Sequence, residues 1–242
     1  MIDGYDVSGD IMAVNSLGTP LGTMQVNGID QLALARIGTL HDLTGEFGCY
    51  WNPSSGGAGT ALHEILKGLP YTDRYVTYLA GQTLGAPAIS GPCKQINYDW
   101  TRGADGSMSG TTTVNGNGFG GTWGVNLTAG KRTEVAAGNG PTVDLGSTPT
   151  SYSFGWNATL HVVGTFTGTS ITVKIQDSAD AATWADLSGA TFAAATGIGA
   201  QRITTASGST ATVRRYVRVV SSGTYTNATY VVNFTRNEAV TL

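Results

Sequence analysis

Charged side chains are scarce in this chain. Asp, Glu, Lys and Arg make up 12% of its 242 residues, which is about half the usual share. The net charge is −3, and the clearest basic cluster, Arg214, Arg215 and Arg218, alternates with valines as a solvated strand face does. This balance argues against sequence-independent binding of nucleic acid, because such binding depends on basic side chains that neutralise phosphates.

The residue patterns that carry metal or nucleophilic chemistry are also missing. Cys49 and Cys93 lie in apolar patterns and form no CxxC pair, so they are either two buried free thiols or one disulfide. His41, His63 and His161 lie far apart, and no HExxH or GxSxG motif is present. We therefore expect no metal, no cofactor and no enzymatic activity.

Long apolar runs are absent too. No window approaches 18 apolar residues, and the opening MIDGYDVSGD has neither a positively charged region nor an apolar region. These absences predict no transmembrane helix, no secretory signal and no membrane partner. We expect synthesis in the cytoplasm.

Glycine, by contrast, is abundant. The chain holds 35 glycines in 242 residues, roughly double the average usage of about 7%, and this indicates many turns and close backbone approaches. Asp105-Gly106 predicts a tight turn. Residues 116–121 match GxGxxG, but a strand pattern follows them where a nucleotide site needs a helix. They are better explained as a hairpin or bulge between strands, or as a glycine-rich contact between subunits.

Alternation of apolar and polar residues predicts strands in both halves of the chain. It covers residues 75–79 and 96–100 in the first half, whereas residues 30–40 are ambiguous between helix and strand. In the second half, one long strand covers residues 152–162, and its polar face would hold Asn157, Thr159 and His161. Further alternating runs follow, with turn signals at Thr167-Gly168, Ser188-Gly189, Ser207-Gly208 and Ser222-Gly223. This spacing predicts a two-sheet sandwich of about seven strands.

One short helix is predicted in the first half. Leu62, Ile65 and Leu66 form an apolar stripe, Thr60 is a candidate N-cap, and Gly68 and Pro70 end the helix.

The composition changes at residues 136–141, AAGNGP, which suit a linker. We expect two domains, residues 1–140 and residues 141–242. The first part holds 7 basic and 11 acidic side chains, a net of −4, and the second holds 6 and 5, a net of +1.

Four segments carry a resemblance to a known family. They are YDVSGD (5–10), NP (52–53), LPYTDRYVTYL (69–79) and KQINYDWTRGADGS (94–107). They resemble tail-tube (major tail) type virion structural proteins of tailed phages that infect actinobacteria, over roughly residues 2–135. The resemblance implies a mainly β fold, with a tail-tube-like β-sandwich or barrel and one short helix. The second part resembles the immunoglobulin-like β-sandwiches appended to phage tail and capsid proteins.

The resemblance also implies a function. A tail-tube subunit assembles into stacked hexameric rings that conduct the genome, so its expected partners are copies of itself, other virion tail proteins and DNA in transient, non-specific passage. Its expected location is the virion tail, after synthesis in the host cytoplasm. Two alternatives remain open: a capsid decoration or head-stabilising protein, and a host-surface adhesin that binds glycans through exposed Trp156, Trp184 or Tyr225.

Two sets of residues are candidates for this role. Loops of tube proteins commonly reach a neighbouring subunit, which selects Asn52, Pro53, Ser54, Ser55, Gly56, Gly57, Asn117, Gly118 and Phe119. A channel through which DNA slides should repel phosphates. The lumen candidates are therefore the acids Asp6, Asp10, Asp30 and Asp42.

Overall fold

The computed structural model describes residues 1–29, 32–53, 61–68, 72–146 and 151–238. These residues are mainly β, as predicted, with a single five-residue helix, α1 (Leu62–Leu66). The strands are β1 (Ile11–Gly18), β2 (Leu21–Gln25), β3 (Arg36–His41), β4 (Thr44–Tyr50), β5 (Arg74–Leu79), β6 (Pro87–Arg102), β7 (Met108–Gly116), β8 (Thr122–Asn126), β9 (Arg132–Glu134), β10 (Val143–Asp144), β11 (Ser151–Tyr152), β12 (Trp156–Ser178), β13 (Ala185–Thr191), β14 (Gly199–Thr204), β15 (Val213–Arg214) and β16 (Tyr216–Arg236).

Twelve of these strands form one connected sheet. Its main path runs β1-β4-β7-β6-β8-β16-β12-β13, with β5 on β6, β9 and β10 on β16, and β14 on β12. The long strand β6 links the two halves of the chain. Its first part pairs with β5 and β8, and its second part, from Cys93 onward, pairs with β7, with a register shift between Gln95 and Asn97.

Helix α1 closes the core of the first half. Its predicted stripe of Leu62, Ile65 and Leu66 is buried against the sheet, in one cluster with Cys49 and Cys93. Both cysteines are free thiols, and burial raises the pKa of Cys49 to about 11 and that of Cys93 to about 12. The predicted N-cap Thr60 lies outside the described residues.

The second core is built on β12 and β16, which pair along almost their whole length. The alternation was right about the apolar face, but Asn157, Thr159 and His161 on the other face are also buried. That face packs against the first half: Thr159 Oγ1 lies 3.1 Å from Ser90 Oγ. Polar residues tolerate this burial because each has a hydrogen-bond partner.

Three of the four turns predicted in the second half are wrong, and two of them lie inside the longest strands. Thr167-Gly168 lies inside β12, and Ser222-Gly223 lies inside β16. Gly168 has φ +153°, and a Cβ there would lie 2.4 Å from the Cα of Tyr225. These glycines allow two long strands to approach where their register shifts, which is a bulge rather than a chain reversal. The chain therefore forms one long strand pair where several short strands were predicted.

Of the other two turns predicted in the second half, one is confirmed and one is wrong. Ser207-Gly208 is a turn, with φ +70° at the glycine, whereas Ser188-Gly189 lies inside β13. The predicted long strand starts later than expected, at Trp156, because Gly155 with φ +79° separates it from β11.

Residues before position 140 contribute to the second core. Both β8 and β9 pair with β16, and Leu127 is fully buried among the second-half residues. The division at residue 140 and the immunoglobulin-like assignment of the second part stay predictions. The strand pairing indicates that residues 122–134 pack with the second part.

Candidate assembly surface

The strands β2 and β3 form a two-stranded sheet of their own. They continue the β1–β4 pair beyond the base formed by Gly18 and Thr44, and every residue of both strands is exposed. Met24 and Ile37 are directly paired across the two strands. Strand β3 covers part of residues 30–40, the region that was ambiguous between helix and strand.

The hairpin exposes large apolar side chains on a scale that is unusual for a free surface. Ile29 and Leu32 are fully exposed, and Leu40 is 86% exposed. The complete set is Leu21, Met24, Val26, Ile29, Leu32, Leu34, Ile37 and Leu40. We refer to these eight residues and the strands β2 and β3 as the apolar hairpin. An isolated two-stranded hairpin is at best marginally stable in water, so a partner surface is expected to cover it.

An apolar groove of about 290 Å³ lies beside the β1–β4 part of the same ribbon. It borders β1, which pairs with β4 alone among the described strands and so keeps one open edge. Its floor is formed by Ile2, Val7, Ile11, Phe47 and Val76. Met12, Val14 and Tyr78 also line the groove and are partly exposed. We refer to this surface as the β1 groove.

The first predicted inter-subunit loop is only partly described. Asn52 and Pro53 follow β4 at the surface, and the Asn52 Nδ2 donates a hydrogen bond to Asp10 Oδ1 at 2.9 Å. Ser54, Ser55, Gly56 and Gly57 lie outside the described residues. Their role between subunits stays a prediction.

The second predicted loop makes contacts within the chain. Asn117, Gly118 and Phe119 are exposed in the connection between β7 and β8. The Asn117 Nδ2 donates to Asp73 Oδ1 at 2.8 Å, and the Arg202 guanidinium lies 4.4 Å from the centre of the Phe119 ring. A contact between this loop and a neighbouring subunit would have to be compatible with these two interactions.

Two glycines of this connection lie so close to Leu43 that a side chain would clash there. A Cβ on Gly121 would lie 2.6 Å from Leu43 Cδ1, and one on Gly116 would lie 2.9 Å from the Leu43 backbone nitrogen. The strand predicted after these glycines is confirmed as β8. The connection is not a hairpin, because β7 and β8 pair with β6 and not with each other.

The lumen candidates lie in different environments. Asp6 forms an ion pair with Lys131 at 2.6 Å. Burial opposes ionisation of Asp6, but hydrogen bonds from Lys131 and Ser8 outweigh it and lower its pKa to about 2. Asp10 Oδ2 accepts a hydrogen bond from the backbone N–H of Leu62, at the start of α1. These two acids therefore have roles inside the subunit.

The remaining two acids differ from these. Asp42 is exposed at the base of the apolar hairpin, where its backbone N–H donates to the Pro20 carbonyl. Asp30 lies outside the described residues. The assignment of these acids to a lumen stays a prediction.

The aromatic residues suggested for glycan binding are mostly not available. Trp156 is 1% exposed and Tyr225 is 6% exposed, so the expectation that they lie at the surface is wrong. Both belong to the second core, because their strand face packs inward. Trp184 is partly exposed, but the Arg218 guanidinium covers its ring at 4.2 Å.

Two structural features bear on other classes of function. Within the described ranges, no group of three or more His, Cys, Asp or Glu side chains is arranged to hold a metal ion. No helix in that part of the chain is long and apolar enough to cross a membrane.

Comparisons with known proteins identify no family for this chain. No family model matches the chain, and no curated protein matches it. Among solved structures, the chain is similar to the Dit protein (gp 19.1) of phage SPP1, described as a paradigm of the hub adsorption apparatus in phages that infect Gram-positive bacteria. The identity is 10%, the TM-score is 0.29, and the match covers 97% of this chain and 98% of that one. At this TM-score the similarity assigns no function to this chain.

Proposed function

We propose that this chain is a structural, non-catalytic subunit of a phage virion tail that assembles with copies of itself into stacked hexameric rings. The observation that carries the self-assembly is the apolar hairpin. The phage tail context comes from the resemblance of the YDVSGD, LPYTDRYVTYL and KQINYDWTRGADGS segments to tail-tube type proteins.

The exposed apolar surface of the hairpin favours an assembled protein and not a monomer. Eight large apolar side chains of the hairpin are exposed, and Ile29, Leu32 and Leu40 expose nearly all of their surface. Monomeric soluble proteins rarely expose contiguous apolar patches larger than a few hundred Å². A second surface is therefore expected to cover the hairpin in the working protein.

The charge distribution supports a conduit for DNA. The first part of the chain, which carries the hairpin, has a net charge of −4. Acidic side chains on the inner wall of a ring would repel the phosphates of passing DNA and so prevent it from sticking. Among the three lumen candidates that the structure describes, Asp42 is the most suitable, because it is exposed.

The alternatives have less support. A glycan-binding adhesin loses two of its three candidate aromatic residues to the core. A capsid decoration protein would also use an apolar hairpin, but it would assemble with threefold or fivefold symmetry on a shell.

Negative-stain electron microscopy of the purified protein tests the proposal. Sixfold rings or stacked tubes are expected. A protein that stays monomeric at high concentration would refute self-assembly, and trimers or pentamers would favour decoration. Tight binding of duplex DNA at physiological salt would contradict a repulsive channel.

A further inference from the structure

We propose that the β1 groove is the receptor for the apolar hairpin of a second copy, so that copies join head to tail. This inference rests on the proposed self-assembly, and it adds the surface of the neighbour that receives the hairpin. The partner it names is another copy of this chain.

A hairpin cannot fill the groove of its own chain. Both belong to one ribbon: β1 lines the groove at Ile11–Val14, and the chain then runs away from the groove through Gly18 into β2. From Val14 to Leu21 the ribbon advances up to about 23 Å at ~3.3 Å per residue, and the tip of the hairpin lies farther along. The hairpin therefore points away from its own groove and toward a neighbour.

The two surfaces are chemically alike. None of the side chains that line the groove is acidic or basic, and the described hairpin residues carry one charged side chain, Arg36. Burying the apolar side chains of one against the other removes apolar area from water. Arg36 would have to stay at the rim of the contact, and the Met1 amino group at the groove already donates to the Thr77 carbonyl. The open edge of β1 also presents unpaired backbone groups, which a strand of the incoming hairpin can meet.

The location of both surfaces on one chain favours a second copy over an unrelated protein. A contact between two different patches of the same chain is heterologous, and its repetition gives a closed ring or an open filament. Such a contact covers every hairpin and every groove of a closed ring. A foreign partner at the hairpin would leave the groove and the open edge of β1 uncovered.

Paired substitutions separate the two sides of the contact. The hairpin variant is Met24→Lys with Ile37→Glu, which places opposite charges on a directly paired position and so keeps the hairpin itself favourable. The groove variant is Met12→Lys with Val14→Glu. A matched control, Ile96→Lys with Val135→Glu, alters two exposed apolar residues elsewhere. All three variants keep the net charge of the chain.

Each variant alone is expected to weaken assembly about 100-fold or more, because each buries charges in the apolar contact. The control should assemble like the wild type. An equimolar mixture of the hairpin and groove variants should form a heterodimer and nothing larger. That mixture has one intact groove and one intact hairpin that can meet, so only one contact forms. Analytical ultracentrifugation measures all of these states.

The outcomes distinguish this inference from the function on which it rests. A monomeric wild type would refute both. Normal assembly of the groove variant, with loss of assembly in the hairpin variant, would overturn the groove and leave self-assembly intact. Failure of the mixture to associate, when each variant alone has lost assembly, would also overturn the groove, since an intact hairpin and an intact groove would then be present together without binding.

Cross-linking gives a second measurement that does not depend on disrupting the contact. The native Cys49 and Cys93 are buried, so introduced surface thiols report selectively. Oxidation of assembled Met12→Cys, Met24→Cys protein should link one copy to the next. The control Tyr50→Cys, Met24→Cys should give little linkage, and equal linkage in the two would contradict the proposed docking.

Discussion

His161 on β12 and Thr77 on β5 are joined by a buried hydrogen bond, with 2.8 Å between Nε2 and Oγ1. The other ring nitrogen, Nδ1, accepts from the backbone N–H of Gly4 at 3.1 Å. Because an N–H can only donate, Nδ1 carries no proton, and Nε2–H donates to Thr77. The two halves of the chain thus meet through a polar seam that also includes Thr159 and Ser90.

This arrangement predicts a loss of stability in mild acid. Burial, followed by the nearby Met1 amino group, lowers the pKa of His161 from 6.5 to about 3. The unfolded chain therefore takes up a proton below pH 6.5 that the folded chain refuses, so stability is full above pH 6.5 and falls as pH drops toward 3. We expect the free energy of unfolding to fall by about 2 kcal/mol between pH 7 and pH 5 from this residue.

Denaturant unfolding at the two pH values measures this effect. His161→Gln removes the titrating group and should lose about 2 kcal/mol less than the wild type over that interval. His41→Gln, at an exposed position, should behave like the wild type. If His161→Gln shows the wild-type pH dependence, His161 is not buried as a neutral imidazole.

A fragment that begins at residue 122 should be more stable than one that begins at residue 141. The longer fragment keeps Leu127 in the core and Glu134, which accepts a hydrogen bond from Tyr230 at 3.0 Å. Loss of the acceptor alone is expected to cost about 1–3 kcal/mol, and loss of a buried leucine about 2–5 kcal/mol. Circular dichroism during thermal unfolding compares the two fragments. Equal transitions would place the domain boundary at residue 140.

Asp42→Lys should create affinity for DNA in the assembled protein. If Asp42 faces a channel, the new lysine contacts phosphates and releases counterions, so binding appears at low salt and vanishes at high salt. Assembly itself should persist, because exposed charges contribute about 0–1 kcal/mol. A filter-binding assay over a salt series measures the change.

The control for this prediction is Asp99→Lys, which makes the same charge change at another exposed site. Equal binding by the two variants would show that net charge, and not position in a channel, is responsible.

Local patterns predicted local structure well. The stripe of Leu62, Ile65 and Leu66 was correct, because burial of one side of the helix imposes that period. The burial of His161 could not be predicted, since its partners Gly4 and Thr77 lie far away in sequence.

The bulges at glycines and the exposed apolar hairpin could not be predicted from the sequence. Gly168 and Gly223 have positive φ, a property that a turn and a bulge share, so the sequence could not separate the two. The apolar hairpin was missed because its side chains are exposed on both faces of β2 and β3. Neither the helical nor the strand period marks a segment that has no buried face in its own chain.

The central claim is that the apolar hairpin drives self-assembly. The most direct measurement is sedimentation velocity over a concentration series for the wild type, the Met24→Lys, Ile37→Glu variant and the Ile96→Lys, Val135→Glu control. The account predicts assembly of the wild type and the control, and a folded monomer for the hairpin variant at every concentration. Assembly of the hairpin variant at wild-type concentrations, or a wild type that remains monomeric throughout, would contradict it.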